Sequence, residues 1–266
     1  MSLSRKPRLS SDIPLAGVVW IASDIHLGPD TPDTARAFRD FLDQASAQAD
    51  ALILCGDVFD AWIGDDFALH SPPEWLASFV AELKDVSARI PVWIGRGNRD
   101  FLMGERLMAL TGASLLPEPA RLHTDAGTLL LTHGDEYCTA DPAYQRFRRI
   151  VHQPGVQRLF LGLSLKLRRG IADWARRRSM ASNRYKAATI MDVDPQAIAQ
   201  AYARHGVDTL VHGHTHRPGT HHITIDGARC TRIVLPDWDY EQDPPRGGWL
   251  VIDRDGLRLV QASKSN

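Results

Sequence analysis

The sequence is poor in cysteine, in uncharged apolar runs and in net charge. Its three cysteines, Cys55, Cys138 and Cys230, are odd in number, widely spaced and form no Cys-x-x-Cys pair. That argues against a disulfide framework and against a thiolate zinc site, and it fits a reducing compartment. No stretch approaches the roughly 18 uncharged apolar residues of a membrane span; the nearest, Leu159 to Leu167, is short and contains Lys166. Arg5, Lys6 and Arg8 are followed by no apolar signal core, because the next run, Gly17 to Ala22, is too short and reads as a strand. These absences predict a cytoplasmic protein, with attachment to a membrane surface left open. A net charge of -1 points to no partner by itself.

The 266 residues are enough for one large α/β domain with an insertion, and a content of 44% hydrophobic and 24% charged residues suits a globular core. Five short apolar runs each end in a polar cluster. Gly17–Ala22 leads to Asp24-Ile25-His26, Ala51–Cys55 to Gly56-Asp57, and Pro91–Ile94 to Gly97-Asn98-Arg99-Asp100. Thr128–Leu131 leads to His133-Gly134-Asp135, and Thr209–Val211 to His212-Gly213-His214-Thr215-His216. Such runs suit buried strands, and the intervening segments Thr34–Ala49 and Glu74–Ala88 carry apolar residues at helical spacing. Strands alternating with helices predict sheets covered by helices, with ligands collecting at the strand carboxyl ends. After Gly219 the pattern returns to strands, with turns at Asp226-Gly227 and Asp255-Gly256.

From Arg146 to Lys186 the character changes. This segment holds twelve of the 31 Lys and Arg residues against a single acid, Asp173, so it carries +11 and the remainder -12. Phe147, Ile150, Leu159, Leu163, Leu167 and Ile171 give it apolar faces at roughly helical spacing. The expectation is a core formed by residues 1–145 and 190–266, with a helical insertion, 146–189, capping the active site.

The polar clusters are rich in metal-binding chemistry. Carboxylate and amide oxygens and imidazole nitrogens suit manganese, iron, zinc and related divalent ions. Asp24 and His26 are two apart, so extended backbone would turn both to one side, and His214 and His216 repeat the spacing. Asp57 offers a carboxylate able to bridge two cations, while Asn98 and His133 complete a second set. Two cations about 3.5–4 Å apart clamp a phosphoryl group and acidify a shared water, whose hydroxide attacks in line. Any one of these pieces has an ordinary reading as a turn or a cap. Five strand ends converging on one donor set do not.

The blocks Asp24-x-His26, Gly56-Asp57-x-x-Asp60, Gly97-Asn98-Arg99-Asp100, His133-Gly134-Asp135 and Gly213-His214-Thr215-His216 resemble the calcineurin-like metallophosphoesterase signature. The resemblance implies a four-layer α/β/β/α sandwich. It also implies one metal on Asp24, His26, Asp57 and His216 and another on Asp57, Asn98, His133 and His214. Many members carry His after the Asn; here Arg99 stands there. Arginine is a poor general acid, but its planar fork suits phosphate oxygens and would stabilise charge in the transition state. A leaving group that departs without a proton, such as the phosphate of a pyrophosphate, fits it best.

Longer blocks extend the resemblance over about Val18 to Trp238. They include Phe59-Asp60-Ala61-Trp62-Ile63-Gly64-Asp65-Asp66, Asp141-x-x-Tyr144-Gln145 and Ile190-Met191-Asp192-Val193. These are similar to the family of UDP-2,3-diacylglucosamine diphosphatases of Gram-negative lipid A synthesis. That likeness implies release of UMP and 2,3-diacylglucosamine 1-phosphate, activation by two manganese ions, and peripheral contact with the cytoplasmic face of the inner membrane. It places Asn98, Arg99, Asp141, Tyr144, Arg176, Ser179, Lys186 and His214 at the substrate. The basic, apolar insertion agrees independently with a diacylated, phosphorylated substrate and with an anionic membrane. Its apolar content argues against nucleic acid as the partner. Trp62, Phe101 and Trp174 stand open between lining acyl slots and ordinary core.

Overall fold

A computed structural model of the chain describes residues 11–183, 192–225 and 227–261. Among these described residues, twelve strands form two six-stranded sheets. They are β1 (Ser11–Pro14), β2 (Val19–Ala22), β3 (Ala51–Cys55), β4 (Val92–Gly95), β5 (Ser114–Leu115) and β6 (Ala120–Thr124), followed by β7 (Gly127–Thr132), β8 (Thr209–His212), β9 (Gly219–Ile225), β10 (Ala228–Val234), β11 (Gly248–Asp253) and β12 (Gly256–Gln261). One sheet runs β12-β11-β2-β3-β4-β5 and the other β1-β6-β7-β8-β10-β9. At their centres β2, β3 and β4 are parallel, as are β7, β8 and β10. Eight α-helices among the described residues connect or flank them: α1 (Pro32–Gln48), α2 (Asp66–Leu69), α3 (Glu74–Ser87), α4 (Glu105–Thr111), α5 (Pro142–Val151), α6 (Pro154–Leu161), α7 (Leu165–Asn183) and α8 (Pro195–His205).

The period-two alternation of the central strands builds the layers. In β2 and β3, Trp20, Ala22, Leu52 and Leu54 face the helices, packing with Phe38, Phe41 and Leu42 of α1 and Leu76, Phe79 and Leu83 of α3. The alternate residues Val19, Ile21, Ala51 and Ile53 face the second sheet and meet Leu122, Leu129, Leu131 and Val211. The far side of that sheet, through Leu130, Leu210 and Cys230, packs on Ile198, Ala201 and Tyr202 of α8. The result is the expected four-layer α/β/β/α sandwich.

Local sequence explains the helices that frame it. In α1 the proline in the first turn, Pro32, sits where a missing N–H is harmless, and Phe38, Phe41, Leu42 and Ala45 bury one face at helical spacing. Asp194 caps α8 through the backbone N–H of Gln196, and Gly206 ends it in the left-handed conformation. The hairpin β11–β12 turns through Arg254 and Asp255, one residue before the expected Asp255-Gly256, since Gly256 already pairs with Asp253; Asp226, of the other turn, lies outside the described residues.

Helices α5, α6 and α7 follow β7 among the described residues, and residue 145, the expected end of the first core segment, is within α5. The exposed large apolar side chains of the described residues all lie there, among them Phe147, Ile150, Leu159, Leu167 and Trp174. Trp62, in contrast, is core: it is 3% exposed and stacks on Phe59. No helix among the described residues is long and apolar enough to cross a membrane.

Candidate metal centre and substrate site

The candidate ligands sit where β2, β3, β4, β7 and β8 leave the two sheets, so the site straddles the sandwich at its strand carboxyl ends. Their backbone is not extended. Six non-glycine residues among those described have positive φ, and five of them are Asp24 (55°), His26 (56°), Asp57 (50°), His214 (65°) and His216 (53°). The extended Asp-x-His pairing expected from the spacing is therefore corrected. Left-handed residues at both positions of each pair aim the side chains instead. Such residues cost on the order of 1–3 kcal/mol each and persist where surrounding contacts over-determine them. Here those contacts are Asp24 N–H to the Gly56 carbonyl (3.1 Å) and His26 N–H to the Asp57 carbonyl (3.0 Å). The His214 N–H also donates to Asp24 Oδ2 (3.0 Å). Close approach also demands glycine: a Cβ at Gly97 would strike the Asp57 carboxylate, and one at Gly213 the side chains of Ser23 and Asp24.

Two donor sets result. Asp24, His26 and His216 offer ligand atoms all within 4.8 Å of one another, as do Asp24, Asp57 and His133. In the first, His216 Nε2 lies 3.4 Å from His26 Nε2 and 3.3 Å from Asp24 Oδ1. In the second, His133 Nε2 lies 3.7 Å from Asp57 Oδ2 and 3.2 Å from Asn98 Oδ1. Asp57 Oδ2 is also 4.0 Å from His26 Nδ1, so this one oxygen stands between the sets, where a bridging ligand belongs. His214 joins neither set by ligand-atom distance; its ring sits edge-on to His133, with centroids 5.3 Å apart.

The donors fit divalent cations. Among the described residues, no hydrogen bond reaches the buried Asp24 Oδ1 or His26 Nδ1, a costly arrangement unless another group satisfies them. Charge balance points the same way. Burial pushes Asp57 up to about 7 against the pull of His133. Burial opposes protonation of His133, yet Asp57, Asp24, Asp135 and Glu118 outweigh it and push the imidazole up to about 10. Burial and then His133 press His214 down to about 4. This is a buried, acid-rich cluster that calls for positive charge.

Residues 17–218 match the calcineurin-like phosphoesterase family. The chain belongs to that family. Among its relatives, the UDP-2,3-diacylglucosamine hydrolase of Bordetella parapertussis is 55% identical over 92% of this chain and 95% of its own length. Proteins of the same name from Serratia proteamaculans and Pseudomonas paraeruginosa are each 42% identical over 90% of this chain, covering 96% and 97% of theirs. This calcineurin-like phosphoesterase is thus a metal-dependent hydrolase.

The residues expected at the substrate are placed unevenly around the phosphoesterase centre. Arg99 is next to it: its Nε lies 3.7 Å from Asp57 Oδ2, its N–H donates to Asp57 Oδ1 (2.8 Å), and its Nη1 donates to Asp60 (2.6 Å). Tyr144 sets its ring over His214 at 6.1 Å, but its hydroxyl donates inward to Asp135 (2.5 Å). Asp141 caps α5 by accepting from the Tyr144 N–H (3.1 Å). Arg176 reaches from α7 to Asp60. The Ser179 side chain and Lys186 lie outside the described residues.

Three acids matter that the motif reading left without a role. Asp100, fully buried, accepts from the backbone N–H groups of Gly97 (2.6 Å), Val58 (2.8 Å), Asp57 (3.2 Å) and Phe59 (3.3 Å), lacing the β3 and β4 loops together. An acid closing a Gly-Asn turn was its only sequence signal. Asp237 lies 3.5 Å from His216 Nδ1 and 3.1 Å from Arg246, and thereby orients the ring from outside, but Pro-Asp-Trp carries no readable signature. Asp135 is buried beneath Tyr144 and accepts from Arg148 Nε (2.7 Å); burial opposes its ionisation, yet Arg148 holds the carboxyl well below the usual range.

Proposed function

We propose that this phosphoesterase hydrolyses the pyrophosphate bond of UDP-2,3-diacylglucosamine, giving UMP and 2,3-diacylglucosamine 1-phosphate on the route to lipid A. Two divalent cations, manganese by family expectation, are held by Asp24, His26, Asp57 and His216 and by Asp57, Asn98, His133 and His214. When bound, they supply an acidified water and a Lewis-acid clamp on phosphoryl oxygens. The observation that carries the reading is Arg99 beside the shared ligand, its Nε 3.7 Å from Asp57 Oδ2.

Arg99 cannot deliver a proton, but it can pair with a phosphate oxygen as charge develops. Water forms the new P–O bond and the bond to the bridging oxygen breaks. The departing phosphate leaves as an anion, so no general acid is needed at position 99. Asp57 holds the Arg99 backbone and Asp60 its guanidinium, which orients the fork towards the cluster. Asp141, Tyr144, Arg176, Ser179 and Lys186 belong to the substrate's sugar-phosphate side.

Residues 146–189 form the cap in this reading. The exposed apolar residues of α5 to α7, interleaved with arginines, suit acyl chains and contact with the cytoplasmic face of an anionic inner membrane. The test is incubation with UDP-2,3-diacylglucosamine and manganese, with a chelated control and products identified by mass spectrometry. Metal-dependent UMP release supports the proposal; faster turnover of a cyclic nucleotide overturns it.

A further inference from the structure

Asp60 is not among the ligands, nor is it among the expected substrate contacts. Its carboxylate is nevertheless the point where the metal centre and α7 meet. Oδ1 accepts from Arg99 Nη1 at 2.6 Å, and Oδ2 accepts from Arg176 Nη1. The Asp60 side chain is only 13% exposed, whereas those of Arg99 and Arg176 are 35% and 45% exposed. The two cations are thus presented to solvent by a carboxylate recessed behind them. Two guanidinium groups share the Asp60 carboxylate, and Arg99 also faces Asp57 at 3.7 Å.

The two arginines arrive on separate elements. Arg99 follows β4 directly, while Arg176 lies on α7, which is fastened a second time by Arg168. Arg168 is 2% exposed and donates to the Ile63 carbonyl (2.5 Å), the Leu163 carbonyl (3.0 Å) and Asp66. Eight residues separate Arg168 from Arg176, a helical rise of about 12 Å. The Arg168 end of α7 is therefore anchored in the core by neutral and charged partners alike. Towards the candidate metal centre, Arg176 pairs with Asp60 among the described residues.

From this geometry we infer that Asp60 is a positioning residue. It holds Arg99 and Arg176 together on one carboxylate as a preformed pair of cations for a phosphorylated substrate, and so couples recognition by α7 to the metal centre. The inference rests on the pyrophosphate reading above. Without Asp60 the two guanidinium groups would repel, and each substrate molecule would have to assemble them anew, an ordering cost that appears in binding and in turnover. The carboxylate contributes by geometry, through the two arginines it holds, and is not one of the proposed metal ligands.

The experiment is a double-mutant cycle on the full chain with manganese, using Asp60→Asn, Arg176→Gln and the pair, and UDP-2,3-diacylglucosamine as substrate. Asp60→Asn should raise KM about tenfold and lower kcat less than Arg99→Ala does, with manganese content unchanged. In the Arg176→Gln background, the same substitution should move KM far less, because the cation it positions is gone. Asp60→Glu, which keeps the charge, should recover part of the loss. Unchanged kinetics in Asp60→Asn, a lowered KM, or full additivity with Arg176→Gln would each overturn the inference. Should Asp60→Asn fail to fold, Asp60→Glu and the exposed Arg176→Gln still test it, since both must raise KM. A wild-type chain that hydrolyses bis(4-nitrophenyl) phosphate with manganese but not the lipid substrate would instead sink the proposed function, a distinguishable failure.

Discussion

Asp24 and His214, separated by 190 positions in the sequence, are joined by a 3.0 Å hydrogen bond from the His214 backbone N–H to Asp24 Oδ2. The bond ties the loop after β8 in one sheet to the loop after β2 in the other, so the sandwich closes at its catalytic edge. Asp24 Oδ1, left without a hydrogen bond, faces His216 and the first donor set. One carboxylate therefore both fixes the loop and offers itself as a ligand.

Asp57→Ala removes the carboxylate proposed to bridge the two cations, whose Oδ2 lies 3.7 Å from His133 Nε2 and 4.0 Å from His26 Nδ1. Activity should fall by at least about 100-fold, and bound metal measured by elemental analysis should fall with it. Near-normal turnover with a full metal complement would refute the bridging assignment.

Arg99→Ala should lower turnover. Loss of one charge-stabilising donor costs on the order of 100-fold in kcat. The cation content should stay intact, because Arg99 is not a ligand. Metal loss in this variant would show that the side chain supports the site rather than the reaction.

Asp100→Ala would strand four backbone N–H groups inside the β3–β4 junction. A buried unsatisfied donor costs about 1–3 kcal/mol, and these four relax together, so a loss of about 3 kcal/mol is expected in denaturant unfolding. A midpoint within error of the parent chain would contradict this role.

The Arg168–Asp66 clamp sets a pH dependence. Hydrogen bonding to Arg168 lowers the carboxyl of Asp66 below the usual 3.8. A group depressed in the folded state contributes its stability above the unfolded value and loses it as pH falls through the folded one. The stability gap between the parent chain and Asp66→Asn should therefore be constant around neutrality and should close only below that 3.8. A gap that varies between neutral and weakly alkaline pH would point to another group.

Much of the fold was legible because its signals are local. Ala51–Cys55 is a strand of five buried residues with the predicted bounds, and the Phe38, Phe41, Leu42 and Ala45 stripe is the predicted face of α1. The helical character of the basic segment also follows from periodicity. Its start does not, because Asp141 and Pro142 begin α5 four residues before the charge pattern changes.

The sequence by itself determined the candidate donors, the layered α/β class and the presence of Arg99 in place of a proton donor. Each is written in residue type and spacing, which folding cannot alter. Tertiary structure decided how the donors are aimed. Left-handed backbone at five candidate ligands is held by hydrogen bonds between loops of different strands, and no local propensity for Asp or His specifies it. It also decided that Asp60 joins Arg99 to Arg176, Asp100 laces two loops and Asp237 orients His216. A carboxylate takes its role from what surrounds it, and those neighbours are brought together only when the two sheets pack.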